Sequence, residues 1–374
     1  MPDGFGHVKE ATAAASAVPE DLAGRVARVA ECAAALRAEI GKILVGQRAV
    51  VDEVLTSVFA GGHVLLAGPP GLARTVLVRA LAGAAGLSFR RIQFTPDMLP
   101  SDVTGADVFT EDRATGERGL RFLPGPIFAN LVLADEVNRT PPKTQAALLE
   151  AMEERCVTVG SRTHPVPEPF LVLATLNLVD TEGVYELPPG SPQLDRFMLK
   201  VVTRYPTRAE EDAILDRTTG VYRAEVGPVL EPGALAAHQA TVRALPAPTN
   251  VKDYATELAR ATRPREPGAP AFVREHVAWG AGVRASQFLV LGAKARAAVE
   301  GRLCVSRGDV RAIAPAALRH RIVPNFHAAA LSLTPDVLVG RLLEEIDSRA
   351  RARFPIRGRL ARLLRGSRGG NGGK

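Results

Sequence analysis

Apolar positions in the first half of the chain follow two different spacings. Over 21–40 and 48–60 they recur every three or four positions, which predicts two amphipathic helices. Elsewhere short apolar runs predict buried strands over 63–67, 131–135, 170–175 and 197–202, and residues 90–94 are also strand-like. Helical segments over 75–85 and 142–154 alternate with these runs. Because alternating strands and helices form parallel sheets, the pattern predicts an α/β fold with five parallel strands and helices on both faces.

Two polar stretches interrupt the alternation, and a helical region follows it. Residues 104–125 have no core pattern, whereas 156–167 alternate around Gly160-Ser161, which predicts a hairpin. Beyond Tyr205-Pro206 the pattern is helical. We therefore predict four parts, namely a disordered N-terminus (1–20), an α/β core with an N-terminal helix (21–205), a helical lid domain (206–348) and a basic, flexible tail (349–374).

Composition and charge restrict the class of protein. The chain has 374 residues, of which 46% are hydrophobic, and a formal net charge of +7. Nine Lys and Arg residues and no acidic residue lie from Arg349 onward, so the remainder is close to neutral. Such a tail is either solvated or bound to an anionic partner, and its lack of interleaved aromatic residues disfavours nucleic-acid recognition. With no secretory signal and no apolar run long enough to cross a membrane, we predict a cytoplasmic protein.

A glycine-rich segment lies between the first predicted strand and the next helix, which is the position of a phosphate-binding loop. Its residues are Gly68, Pro69, Pro70, Gly71, Leu72, Ala73, Arg74 and Thr75. Backbone N–H groups of such a loop point at nucleotide phosphates, and the hydroxyl of Thr75 is placed to bind Mg²⁺. Arg74 stands where lysine is usual, with the charge on a larger, planar group. Taken alone, the segment is also compatible with a simple turn.

Polar residues follow two later strands. The run LVLAD ends in Asp135 and is followed by Glu136, which is the pattern of a Walker B motif. In that motif Asp135 binds Mg²⁺ and Glu136 polarises the attacking water. Asn177, just after FLVLAT, is placed to help position that water. An acidic strand end or a turn asparagine is common by itself, but the spacing after the glycine-rich segment favours an ATP site.

Longer stretches carry a more specific signal, among them GGHVLLAGPPGLART, GPIFANLVLADEVNRTPPKTQAALLEAMEE and QLDRF. In these stretches the chain resembles the MoxR family of AAA+ ATPases, with a weaker match over 283–322. The resemblance implies a P-loop AAA+ core followed by a helical lid, with bound ATP and Mg²⁺. It makes Gly68–Thr75 the Walker A loop, Asp135 and Glu136 the Walker B pair and Asn177 the sensor 1 residue. The function it implies is ATP hydrolysis coupled to chaperone-like remodelling or maturation of a partner protein.

The resemblance also implies assembly. Arg196 in QLDRF corresponds to the arginine finger, which reaches the γ-phosphate bound by the neighbouring subunit, and Arg284 corresponds to the sensor 2 arginine of the lid. A finger that acts in trans implies a homo-oligomeric ring, which in this family is a hexamer. The two polar stretches correspond to insertions that line the ring and act on substrate. The partner class implied is a protein with a von Willebrand factor A domain.

Two hypotheses about turnover stay open at this point. The motif residues of an active ATPase are present, including Glu136. Arg74 and the apolar neighbours of Asn177, which are Leu176 and Leu178, depart from the family's pattern. These departures favour the alternative, a nucleotide-gated binding scaffold with very weak or no hydrolysis. A measurement of ATP turnover separates the two hypotheses.

Overall fold

The computed structural model describes residues 20–111, 118–177, 184–185, 187–221 and 224–353. Apart from Glu20, the segment predicted to be a disordered N-terminus lies outside these ranges, as do Leu178 and the tail beyond residue 353. The strands are β1 (Val64–Ala67), β2 (Phe89–Gln93), β3 (Gly105–Glu111), β4 (Arg118–Pro124), β5 (Leu131–Asp135), β6 (Cys156–Val159), β7 (Arg162–Pro165), β8 (Leu171–Thr175), β9 (Leu199–Val202), β10 (Val277–Trp279) and β11 (Val323–Pro324).

The helices up to residue 219 are α1 (Glu20–Ile43), α2 (Arg48–Ala60), α3 (Arg74–Ala84), α4 (Pro100–Thr104), α5 (Pro142–Glu154), α6 (Pro192–Asp195) and α7 (Arg208–Thr219). A 3₁₀ turn spans Val137–Arg139. The later helices are α8 (Ala234–Ala244), α9 (Thr249–Ala261), α10 (Ala271–His276), α11 (Val283–Val299), α12 (Arg307–Leu318), α13 (Phe326–Ala330) and α14 (Pro335–Arg353).

Five strands form one sheet in the order β2-β5-β8-β1-β9, and all neighbouring strands are parallel. This confirms the predicted five-stranded parallel sheet. Strand β8 lies between β1 and β5, with Thr175 opposite Leu66 and Ala174 opposite Ala134. Because carboxyl ends of parallel strands share one edge, the residues that follow β1, β5 and β8 come together there.

Successive residues of the sheet strands face opposite sides, as the period of two requires. Val64 and Leu66 of β1 join a large hydrophobic cluster with α1, α2, α3 and the helices after residue 230. Leu65 joins a second cluster, on the other face, which contains Leu148 and Met152 of α5. All four residues of β1 are buried, so helices cover the sheet on both faces as predicted.

The N-terminal helix α1 packs against α3, α8 and α11. Its buried side chains follow the predicted helical spacing, at Leu22, Val26, Val29, Ala33, Leu36 and Ile40. Because α8 and α11 belong to the predicted lid, core and lid share a continuous hydrophobic cluster. The packing therefore has no break at residue 205, and the domain limits stay predictions.

Both polar stretches contain antiparallel hairpins. Strands β6 and β7 pair around Gly160-Ser161, as predicted. Strands β3 and β4 form the other hairpin, and its sequence lacks a core pattern because most of its residues are exposed. The rings of Phe122 in β4 and His164 in β7 stack with centroids 3.8 Å apart, so the two insertions contact each other.

The region after residue 206 is mainly helical, with two departures from the prediction. Strands β10 and β11 form a small antiparallel pair, and they are too short to give a sequence pattern. Helix α14 continues to Arg353, so the predicted flexible tail begins inside a helix. The reason is local, because Arg349 binds Glu345 one turn earlier at 3.0 Å and the carbonyl of Gly268 at 2.9 Å. No helix within the described ranges has the length and apolar character needed to cross a membrane.

Candidate nucleotide site

The glycine-rich loop between β1 and α3 has a backbone that its glycines make possible. Gly68 has φ +140°, and a Cβ at this position would collide with the backbone and hydroxyl oxygens of Thr203. Gly71 has φ +79° and open space around it. Glycine adopts such conformations without steric cost, so the loop curves around an open space at the N-terminus of α3.

A cavity of about 600 Å³ lies between this loop and the ends of β5 and β8. Its lining residues are Gly68, Pro70, Gly71, Leu72, Ala73, Arg74, Thr75, Asp135, Glu136, Thr175, Leu176 and Asn177. The structure thus brings together nearly all of the residues that the sequence assigned to nucleotide, Mg²⁺ and water. Of the predicted site residues, Pro69, Arg196 and Arg284 are not part of this lining.

Arg74 lies against the loop itself. Its guanidinium group donates to the carbonyl oxygens of Gly68 and Pro69, the latter at 2.6 Å. Burial lowers the pKa of Arg74, while Asp135 and Glu136 act in the opposite direction. The Nε atom is buried and has no hydrogen-bond partner. The cavity is therefore lined by a positively charged side chain that is held against the loop, which suits an anionic ligand.

Asp135 and Glu136 are joined through a residue that the sequence did not identify. The hydroxyl of Thr175 donates to Asp135 Oδ1 at 2.5 Å and accepts from the backbone N–H of Glu136 at 2.8 Å. Arg91 of β2 also binds Asp135, with 2.6 Å between Nη2 and Oδ2. The available signal was Thr175 itself, since it is a buried hydroxyl at the end of an otherwise apolar strand.

Glu136 begins the 3₁₀ turn, in a left-handed backbone conformation with φ 57°. One of its carboxylate oxygens lies 3.1 Å from Nη1 of Arg139. The carboxylate remains partly exposed and lines the cavity, where a base has to be to contact a water molecule. Residue 136 is therefore oriented by its own turn and by Thr175 together.

Asn138 is a second residue that the sequence analysis missed. Its side-chain amide binds the backbone of Asn177 twice, as donor to the carbonyl oxygen at 2.9 Å and as acceptor from the N–H at 2.8 Å. Asn138 is almost fully buried. This paired contact fixes the chain just after β8, at the position predicted to act as sensor 1.

Arg196 and Arg284 lie together, although they come from different parts of the chain. Both bind Glu153 at the end of α5, Arg196 at 2.7 Å and Arg284 at 2.6 Å. Arg284, the second residue of α11, also lies 3.5 Å from Asp195. The side chains of Arg196, Arg284, Glu153 and Asp195 are all partly exposed. The two arginines thus form a separate cluster that does not line the cavity.

The residues of the cavity fit a nucleotide with Mg²⁺. Thr75 and Asp135 supply a hydroxyl and a carboxylate oxygen, the hard donors that Mg²⁺ accepts alongside water and phosphate oxygens. The loop and Arg74 supply N–H donors and positive charge. Thr75 and Asp135 would therefore hold the metal, and the loop would hold the phosphates.

Comparison with known proteins identifies the family. A family model described as "ATPase family associated with various cellular activities (AAA)" matches residues 63–199, and an AAA lid domain model matches 271–338. Chaperone MoxR1 of Mycobacterium tuberculosis is 40% identical over 308 residues, which are 82% of this chain and 80% of that protein. The chain belongs to the MoxR family of AAA+ ATPases.

Other members show the same extent of similarity. Protein MoxR of Methylorubrum extorquens is 31% identical over 82% of this chain and 93% of its own length. Protein YeaC of Bacillus subtilis is 38% identical over 82% of this chain and 92% of its own length. A Cytophaga hutchinsonii structure described as a candidate ATPase is 35% identical, with a TM-score of 0.78 over 87% of this chain and 97% of that one. The AAA+ core, the helical lid and the ATPase class are thereby confirmed.

Proposed function

We propose that this MoxR-family protein forms a cytoplasmic, homohexameric ring that hydrolyses ATP in order to remodel or mature a partner protein or complex. The observation that carries the proposal is one cavity that joins the phosphate loop, Asp135, Glu136 and Asn177. These are the parts that phosphoryl transfer to water requires, namely a phosphate cradle, metal ligands and a group that orients the water.

Each part of the cavity has a distinct role in this proposal. The loop binds the phosphates through its N–H groups, and Arg74 supplies the positive charge in the place of lysine. Thr75 and Asp135 hold Mg²⁺, which neutralises charge on the phosphates when it is bound. Glu136 polarises the attacking water and Asn177 helps to position it. Thr175 and Asn138 keep these groups in place through the contacts described above.

The position of the two arginines supports assembly into a ring. Arg196 and Arg284 bind Glu153 in a cluster apart from their own subunit's cavity. We propose that Arg196 acts as the arginine finger on the nucleotide of the neighbouring subunit, and that Arg284 is the sensor 2 arginine of the lid. An arginine supplied in trans raises the hydrolysis rate by about 10³–10⁵. A chain that acted alone would lack this contribution.

We further propose that the client is a protein with a von Willebrand factor A domain, contacted through the two hairpin insertions. Exposed apolar side chains on the β3–β4 hairpin, Phe109 and Leu120, support a contact role for this surface. The test is co-purification of the assembled ring with such a protein in the presence and absence of ATP.

The decisive experiment on the site is steady-state ATP hydrolysis by the wild type, Arg74→Lys and Glu136→Gln. We expect the wild type to turn over ATP and Glu136→Gln to lose about 10²–10⁴-fold in kcat, because general-base catalysis contributes that much. ATP binding by Glu136→Gln, measured by calorimetry, should be retained, since its phosphate loop is unchanged.

The same three proteins test the alternative, a nucleotide-gated scaffold. The contacts of Arg74 with the loop's own carbonyl oxygens favour that alternative, because two guanidinium donors are already used there. If the wild type is as inactive as Glu136→Gln while Arg74→Lys gains turnover, the protein is a scaffold whose hydrolysis is limited by Arg74. Binding of ATP without turnover by all three would contradict the role assigned to Glu136.

A further inference from the structure

Arg321 is a buried cation that the proposed reaction does not use. It follows α12 and is only 2% exposed, the largest side chain buried to that degree within the described ranges. Its Nε atom binds Oδ1 of Asp195 at 2.7 Å. The guanidinium carbon lies 5.1 Å from the ring centroid of Phe288 in α11, so the same group also contacts the helix that carries Arg284.

The hydrogen bonds of Arg321 are directed at one short segment. Nη2 donates to the carbonyl oxygens of Asp195 at 2.8 Å and Phe197 at 2.7 Å, and Nη1 donates to that of Met198 at 3.3 Å. Nη1 also donates to the carbonyl of Ala317. The five N–H donors of a guanidinium group thus have five acceptors, and four of these belong to residues 195–198. We call residues 195–198 the finger segment, because they include Arg196.

A neighbouring histidine extends these contacts. His320 is fully buried, and its Nε2 lies 3.0 Å from the carbonyl oxygen of Phe197. The carbonyl of His320 accepts from the N–H of Gly190, just before α6. Residues 320–321 therefore contact the chain on both sides of Arg196.

Burying a charge has a large cost unless it is paired and fully hydrogen-bonded, so such a group needs a structural reason. Burial lowers the pKa of Arg321 to about 10, against the opposing charge of Asp195, and the group stays a cation at neutral pH. An apolar side chain would fill the same volume without needing partners. What the arginine adds is a directional connection between the lid and the finger segment.

We propose that Arg321 is a positioning residue for the arginine finger, which binds the finger segment to the lid and so sets the orientation in which Arg196 meets the neighbouring subunit's nucleotide. This inference rests on the proposed trans-acting role of Arg196. Asp195 takes part through both of its contacts, with Arg321 at 2.7 Å and with Arg284 at 3.5 Å. Lid, finger and sensor 2 arginine are thus connected by one carboxylate.

Mixed rings separate this role from a general effect on folding. An Arg321→Met subunit keeps its own Glu136 but presents a misplaced finger, whereas a Glu136→Gln subunit keeps its finger but cannot hydrolyse ATP. Each variant alone should be slow, with kcat of Arg321→Met reduced about 10²-fold, the effect of a misplaced catalytic group. In an equal mixture we expect turnover to recover, because Arg321→Met sites then receive intact fingers from Glu136→Gln neighbours.

Two control mixtures make each outcome informative. Arg196→Ala mixed with Glu136→Gln should recover turnover in the same way, whereas Arg74→Ala mixed with Glu136→Gln should not. If the Arg196→Ala mixture recovers and the Arg321→Met mixture does not, Arg321 acts within its own subunit and the inference is wrong. If the Arg196→Ala mixture also fails, the trans role of Arg196 is wrong, and the inference falls with it.

Arg321→Lys is the second variant, which tests the inference even if Arg321→Met does not fold. It keeps the positive charge beside Asp195 but has no planar fork with which to bind several carbonyl oxygens. We expect it to melt near the wild-type temperature and bind ATP as the wild type does, with a lowered kcat that the Glu136→Gln mixture restores. Wild-type kcat for Arg321→Lys, together with failure of Arg321→Met to fold, would show that the buried charge serves stability alone.

Discussion

At the scale of single residues, the hydroxyl of Thr175 connects the two Walker B residues, a role that the apolar sequence of its strand does not indicate. It bonds both Walker B residues, as donor to Asp135 and as acceptor from the N–H of Glu136. It is also fully buried. Removal of its oxygen would leave a carboxylate oxygen and an amide without their partner, which costs about 1–3 kcal/mol.

We therefore expect Thr175→Val, which keeps the shape of the side chain, to lower kcat by about 10- to 100-fold, because Glu136 loses the contact that orients it. Thr175→Ser, which keeps the hydroxyl, is the matched control and should stay near the wild-type rate. Steady-state ATP hydrolysis measures both. Equal rates for Thr175→Val and the wild type would mean that the turn alone orients Glu136.

Ala73 has a left-handed backbone conformation, with φ 54° and ψ 27°, at the N-cap of α3. For residues other than glycine this conformation costs roughly 1–2 kcal/mol. Glycine removes this steric cost but loses more conformational entropy on folding, so the net gain is smaller. We expect Ala73→Gly to raise the free energy of unfolding by about 0.5–1 kcal/mol. Urea unfolding measures the change.

The control for this substitution is Ala240→Gly, at an exposed position inside α8. It should lower the free energy of unfolding by about 1 kcal/mol, since glycine weakens a helix interior. If both substitutions lower stability alike, the backbone at residue 73 is not strained.

At the scale of elements, the sequence predicted helices and strands most accurately where a single local pattern determines the structure. Helices α2 and α5 have the predicted bounds. A glycine pair ends α2, and a proline in the first turn marks the start of α5. Strand β8 could be recognised because five consecutive apolar or small residues are typical of a strand buried on both faces. Strands β10 and β11 could not be recognised, because three and two residues carry no period.

The hairpin β3–β4 was missed for a different reason. It has an exposed surface on both faces, so no alternation of apolar and polar residues marks it. Its contact with β6–β7 includes the stacked ring pair of Phe122 and His164. Neither residue is unusual in the sequence, and only the fold brings them together.

At the scale of the whole molecule, the cavity could be predicted but the arginine cluster could not. The phosphate loop and the Walker B pair follow β1 and β5, two parallel strands that are separated only by β8, so the sheet order alone places them at one edge. Arg196 and Arg284 meet through Glu153, and Arg321 reaches the finger segment from 126 residues away along the chain. Such pairings depend on how α11 and α12 pack against the sheet, which no local pattern encodes.

The packing of distant elements also makes global stability depend on pH. His63, just before β1, accepts from the N–H of Val172 at Nδ1 (3.0 Å) and lies 3.2 Å from the carbonyl of Met152 at Nε2. Burial, with the nearby charge of Arg155, lowers its pKa from 6.5 to about 3. Burial also lowers the pKa of His320, which lies beside Arg321. Both rings are therefore neutral in the folded protein at pH 7.

Between about pH 6.5 and 3 the unfolded chain binds a proton at His63 that the folded chain does not bind, and the lowered pKa of His320 acts in the same direction. The free energy of unfolding is therefore expected to fall as the pH is lowered below 6.5, by up to about 1.4 kcal/mol per pH unit for each histidine. Urea unfolding at a series of pH values should give a smaller slope for His63→Gln than for the wild type. His327→Gln, at an exposed position, should leave the slope unchanged. Equal slopes for all three proteins would mean that His63 is protonated in the folded state and that its strand contacts are not those of a neutral ring.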